Sequence, residues 1–125
     1  MDKIILTSSK LPVLGPYATA IEAGGLIFIS GQLPLNPATG EIVMDIQAAA
    51  RQVLTNLQSL LEENRLSLKN IIKTTIFLKN MGDFAAVNEI YAGFFPSEPP
   101  ARSTVEVAAL PKGAPLEIEA VAVRN

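Results

Sequence analysis

Apolar residues recur along this chain with two periods, and the switches between them mark out its elements. Lys3 to Thr7 and Thr19 to Glu22 are short β-prone runs, separated by a loop that Leu11-Pro12 and Gly15-Pro16 punctuate. Gly24-Gly25 breaks the pattern before Leu26-Ile27-Phe28-Ile29-Ser30, which predicts a hairpin whose second strand is the more buried. Asn36 to Gly40 is a turn cluster, and Ile42-Val43 is placed to close a small hairpin extension.

From Asp45 the period lengthens. Ile46, Ala49, Ala50, Val53, Leu54, Leu57, Leu60 and Leu61 recur at three- and four-residue steps, predicting one long amphipathic helix through Glu63 with Asp45 as its N-cap. Ile71 to Leu78 is rich in β-branched residues and too apolar for a strand with one wet face, so a central strand is expected. Asp83 to Phe95 sets Phe84, Val87, Ile90, Tyr91 and Phe94 on one side of a second helix, which Pro96, Pro99 and Pro100 stop. Ser103 to Ala108 and Leu116 to Val123 read as the last two strands. In the final one Leu116, Ile118, Ala120 and Ala122 share a face, opposite Glu117, Glu119, Val121 and Val123. About six strands and two interleaved helices predict an α+β fold, one mixed sheet with both helices on one face.

Composition narrows what this fold can do. At 125 residues the chain is expected to form one domain spanning 1–125. Apolar residues make up 49% and charged ones 18%, below the roughly 25% usual in soluble domains. Such a chain has more apolar surface than a lone small globule easily hides, which favours an oligomer. With no cysteine and no histidine, disulfides, thiol nucleophiles, Cys/His zinc sites and imidazole bases are excluded. A net charge of −2 and scattered basic residues argue against a nucleic-acid partner. Neither a signal-peptide core nor the roughly 18-residue apolar run of a membrane helix is present, so no membrane partner is expected and the cytoplasm is the default location.

The remaining chemistry rests on a few side chains. Arg102, approached by Pro99-Pro100, suits bidentate capture of a carboxylate or phosphate, or else forms a structural ion pair with a strand glutamate. Glu117 and Glu119 lie on one face of the last strand; partial burial of either would raise its pKa and fit it for proton exchange, while solvation would leave both inert. Tyr17 either presents its hydroxyl to a ligand or packs its ring over the core edge. Ser30-Gly31 either lets a ligand approach the backbone or simply ends a strand. Asn88 falls roughly opposite the apolar stripe of its helix.

The stretch Pro100 to Leu110 (PARSTVEVAAL), continued by Leu116-Glu117-Ile118-Glu119-Ala120, resembles the Rid family, also called YjgF. Gly15-Pro16-Tyr17, Ile29-Ser30-Gly31-Gln32, Lys73-Thr74-Thr75 and Val87-Asn88 extend the likeness over essentially the whole chain. Within that family it is most similar to the RidA-type deaminases, whose distinguishing arginine is Arg102 here. The resemblance implies a chorismate-mutase-like fold, a homotrimer with sites between subunits, and cofactor-free, metal-free hydrolysis of 2-imino and 2-enamino acids to 2-oxo acids and ammonia. By position, Arg102 would clamp the substrate carboxylate and Glu117 would position water, with Arg102 close enough to restrain the rise of its pKa. Tyr17, Ser30, Gly31 and Asn88 would line the pocket, with Thr104 contributing through its backbone where many relatives carry cysteine. Glu119 does not match a catalytic position and is taken as structural. A non-catalytic binder or sensor of 2-oxo acids would use the same arginine without Glu117. An RNA-cleaving role has little support in so acidic a chain without histidine.

Overall fold

The computed structural model describes residues 1–125. Six strands form one sheet: β1 (Ile4–Leu6), β2 (Ala20–Ala23), β3 (Leu26–Gln32), β4 (Ile71–Leu78), β5 (Ala101–Glu106) and β6 (Leu116–Val123). Two helices, α1 (Ile46–Glu63) and α2 (Phe84–Phe94), interrupt them. The spatial order is β1-β2-β3-β6-β4-β5. β6 thus inserts between β3 and β4 and runs antiparallel to both, while β4 and β5 form a parallel pair whose crossover contains α2.

The helical period produces what it predicts. Asp45 caps α1, its carboxylate accepting from the Ala48 N–H at 3.1 Å, and Ala49, Ala50, Val53, Leu54, Leu57, Leu60 and Leu61 are all buried. α2 buries Val87 and Tyr91, with Ile90 and Phe94 packed at the margin of the core, whereas Phe84 stays 38% exposed in the first turn. Beneath the helices the sheet supplies Ile27, Ile29, Ile76, Leu78, Leu116, Ile118, Ala120 and Ala122. Both helices therefore serve one face, as the strand alternation requires.

Two expectations change in detail. β4 is hydrogen-bonded on both edges, yet only one of its faces is covered: Thr74, Ile76 and Leu78 are buried while Phe77 is half-buried and Ile72 exposed. β5 runs Ala101–Glu106 rather than Ser103 to Ala108, because parallel pairing with β4 draws Ala101 and Arg102 into the ladder opposite Lys73 and Thr74 and ends with Glu106 opposite Leu78. The helix-free face carries exposed Ile5, Leu26, Phe28 and Val105 among polar residues. No helix is long and apolar enough to cross a membrane.

One buried amide ties α1 to the loop after β3. Asn56 Nδ2 donates to the Leu35 carbonyl at 2.8 Å and Oδ1 accepts from Gln52 Nε2 at 2.8 Å. Asn56→Ala leaves that carbonyl unpaired in a buried place and costs about 1–3 kcal/mol of stability. The measurement is the shift of the denaturant midpoint at constant slope.

Candidate active site

Glu117 owes its direction to the alternation of β6. With Leu116 and Ile118 in the core, its side chain turns to the helix-free face. There the β3 ladder is irregular between Ile29 and Gln32, so Ser30 and Gly31 bulge beside it. A Cβ at Gly31 would lie 2.7 Å from Glu117 Cδ and collide with Oε2. The glycine is what allows the carboxylate to rest against the strand.

The carboxylate lines a cavity of about 160 Å³ with Tyr17, Gly31 and Gln32, walled by Leu11, Leu14 and Leu35. Burial raises its pKa above the ordinary carboxylate range, and the like charge of Glu119, two residues on along the same face, raises it further. Tyr17 is half-exposed and its hydroxyl accepts from the Leu14 N–H at 3.3 Å, so ring and hydroxyl both shape this mouth. Ser30 stands beside the cavity, its hydroxyl donating to the Ala18 carbonyl at 2.7 Å.

Arg102 lies elsewhere in the chain. Its strand neighbour is Thr74, which is buried beneath α2, so Arg102 belongs to the helix-facing side of the sheet. The guanidinium carbon sits 4.9 Å from the centroid of the Tyr91 ring and 5.6 Å from that of Phe84. The one ion pair in the chain is Arg124 with Glu22 at 2.8 Å, so Arg102 has no carboxylate partner and the ion-pair alternative does not hold. Asn88, half-buried rather than merely solvated, joins Arg102 in a cleft of about 360 Å³ edged by Tyr91, Phe95, Pro99 and Pro100. Thr104, two residues along the same face, keeps a buried Oγ1 with no hydrogen-bond partner.

The candidates therefore fall into two groups. Tyr17, Ser30, Gly31 and Glu117 gather on one side of the sheet, and Asn88, Arg102 and Thr104 on the other. Across β4, with Phe77 opposite Glu117 and Thr74 opposite Arg102, strand spacing and rise put the two Cα atoms about 14 Å apart. Arg102 consequently does not restrain the pKa of Glu117 within one chain, contrary to expectation. No group of three or more acidic side chains converges to hold a metal ion.

Sequence reading missed the buried pair of Thr74 and Tyr91, whose hydroxyl oxygens lie 2.7 Å apart. Tyr91 counted only as part of the apolar stripe. A threonine among the buried positions of β4 was the available signal, since its hydroxyl needs a partner.

The sequence pattern of the endoribonuclease L-PSP family matches residues 7–124. A 2-iminobutanoate/2-iminopropanoate deaminase of Escherichia coli K12 is 46% identical over 128 residues, with all of both chains covered. A RutC family protein of Pyrococcus horikoshii is 48% identical over 126 residues, again covering both chains fully. Among solved structures, the YjgF gene product of E. coli superposes with a TM-score of 0.92 at 44% identity, covering 98% of this chain and 99% of that one. E. coli TdcF with bound serine also gives 0.92, at 43% identity and the same coverage. The chain belongs to the endoribonuclease L-PSP family, that of the YjgF, RutC and Rid proteins.

Gly31→Ala separates folding from site geometry. The group in the way is the free end of a flexible side chain, so the carboxylate swings aside and the sheet stays intact. Thermal unfolding within a few degrees of the parent, with the Glu117 carboxyl titrating nearer its ordinary range by NMR, is the expected result.

Proposed function

We propose that this protein hydrolyses reactive 2-imino acids, and the enamines in equilibrium with them, to 2-oxo acids and ammonia. The reading is carried by a guanidinium with no internal carboxylate partner, in a chain whose second distinctive group is a half-buried carboxylate of raised pKa. The deaminase name of the E. coli relative supports it, as does the serine held by TdcF, a small carboxylate-bearing ligand.

The chemistry needs little more. Arg102 binds the substrate carboxylate through paired N–H donors. Glu117, ionised, takes a proton from water as the water oxygen bonds to the electrophilic C2 of the protonated imine and the C=N π pair moves to nitrogen. It then passes that proton to the amino group of the carbinolamine. As the C–N bond breaks and the C=O bond forms, the hydroxyl proton leaves through Glu117 to ammonia, so ammonium and the 2-oxo acid depart with the carboxylate restored. A protonated imine is already a strong electrophile, so orientation and one proton relay suffice.

Because Arg102 and Glu117 occupy opposite faces, one chain does not bring them to one substrate. We infer that the site closes between copies, one supplying Arg102, Asn88 and Thr104 and the next Glu117, Gly31, Ser30 and Tyr17. The exposed apolar residues of the helix-free face favour burial against a second copy, and a closed homotrimer satisfies this with three equivalent sites. The endoribonuclease in the family's description has little support here, in a chain of net charge −2 without histidine.

A coupled assay tests the activity: threonine dehydratase supplies 2-iminobutanoate while a competing nucleophile traps it, and the protein accelerates formation of 2-oxobutanoate. Arg102→Ala and Glu117→Gln each abolish the acceleration. Undiminished rates in either sink the mechanism, and retained ligand affinity without turnover in the unmodified protein turns the reading to a 2-oxo acid binder. Unfolding and refolding the two inactive variants together restores about a quarter of the parent activity, since random closed assembly pairs an intact Arg102 with an intact Glu117 at about one site in four. No recovery from the mixture rules out a shared site.

Acid pH supplies a separate check. Glu117 must be ionised, so kcat/KM falls as pH drops through its pKa, which burial and Glu119 raise within the chain and a neighbouring copy's Arg102 lowers on assembly. Removing the neighbouring charge in Glu119→Gln lowers that pKa and moves the acid limb to lower pH, with turnover at neutral pH kept. A limb that stays in place assigns the ionisation to another group.

A further inference from the structure

Arg102 lies over an aromatic ring that is itself fixed on three sides. The Tyr91 hydroxyl is 2.7 Å from Thr74 Oγ1 in a buried contact. The ring stacks at 4.7 Å on Phe95, tilted by 37°. It rises from α2 beside Val87, in the buried part of that helix. The parallel register of β4 and β5 sets Thr74 directly opposite Arg102. The residue that anchors the hydroxyl end of the ring is thus the strand neighbour of the arginine the ring supports.

We propose that Tyr91 is a positioning residue for substrate capture, acting through Arg102, with Thr74 holding the ring in place. This rests on the reading of Arg102 as the carboxylate clamp. The physical need is specific. An arginine that must bind an anion has to be held still without surrendering its donors, and a supporting carboxylate would occupy N–H groups and offset the charge. A ring attracts the cation through its quadrupole and accepts nothing from the in-plane donors. The 4.9 Å approach to Tyr91, the 5.6 Å approach to Phe84 and the lack of any carboxylate partner fit that device. Tyrosine rather than phenylalanine serves because its hydroxyl locks the ring to β4. Two hydroxyls buried together also satisfy each other, where either alone would be an unpaired polar group.

The experiment compares Tyr91→Phe, Tyr91→Leu, Thr74→Val and Arg102→Ala. KM and kcat come from the coupled assay, Kd for 2-oxobutanoate from calorimetry, and assembly and melting temperature are recorded for each. Tyr91→Leu raises KM and Kd about tenfold or more, the size of a partly desolvated cation–π contact, with a smaller change in kcat. Tyr91→Phe keeps the ring and recovers most of that loss, and Thr74→Val resembles it. A melting temperature lowered in both Tyr91→Phe and Thr74→Val, beside a KM that rises strongly only in Tyr91→Leu, separates positioning from a merely structural role. A folded Tyr91→Leu that binds within about twofold of the parent overturns the proposal, as does a Tyr91→Phe as impaired as the leucine variant. Arg102→Ala with unchanged Kd overturns the clamp reading itself, a different result from a leucine variant that is silent while Arg102→Ala is not. If the leucine variant does not fold, the Arg102 Nε–H resonance decides. An upfield ring-current displacement in the parent and in Tyr91→Phe supports the stacked guanidinium, and an unshifted resonance refutes it.

Discussion

The alternation of side chains along β6 is the constraint on which the rest depends. Leu116, Ile118, Ala120 and Ala122 must all enter the core together, and that forces Glu117 and Glu119 out on the other side. A slip of one residue would bury two carboxylates beneath α1 and expose four apolar side chains, so the register is specified strongly. β6 also sits between β3 and β4, hydrogen-bonded to both. The same residues that hold the sheet together therefore fix the direction of its most unusual acid.

The neighbouring strand adapts to that acid. Gly31 sits where any side chain would strike the carboxylate, in the irregular stretch of β3 that turns Ser30 toward the Ala18 carbonyl. Glu117 is consequently neither in water nor in the core. Half-burial beside a second carboxylate keeps its proton affinity above that of an ordinary glutamate without silencing it. The loop after β3 closes the cavity with leucines, and Asn56 of α1 holds the Leu35 carbonyl of that loop.

How far the sequence disclosed this depends on how local each feature is. The ends of β4 and β6, the N-cap of α1 and the two faces of β6 were legible because each follows from period and capping within a few residues. The start of β5 was not, because only its pairing with β4, set by register some 28 positions away, draws Arg102 into the ladder. Partial burial of Glu117 was not decidable from its apolar flanks, because Glu119 has them too and is exposed. Nor was the distance of Glu117 from Arg102, since residue patterns say which face a side chain takes within its own strand and nothing of how faces match across strands. Tyr91 carried two meanings at one position, ring in the core and hydroxyl on Thr74, and periodicity registers only the first.

Placing the guanidinium and the carboxylate on opposite faces has a chemical consequence. Within one chain they are too far apart to pair, so Arg102 keeps its donors free of Glu117 and the glutamate keeps a raised pKa until a second copy brings them together. Separated by β4, Arg102 rests on Tyr91 with its donors uncommitted and Glu117 keeps a raised proton affinity. On the proposed reading the two meet only where a second copy covers the helix-free face. The apolar residues exposed on that face, Ile5, Leu26, Phe28 and Val105 among them, are then the surface that brings the reagents together. Assembly and catalysis would share one cause, since burying that face is also what completes the site.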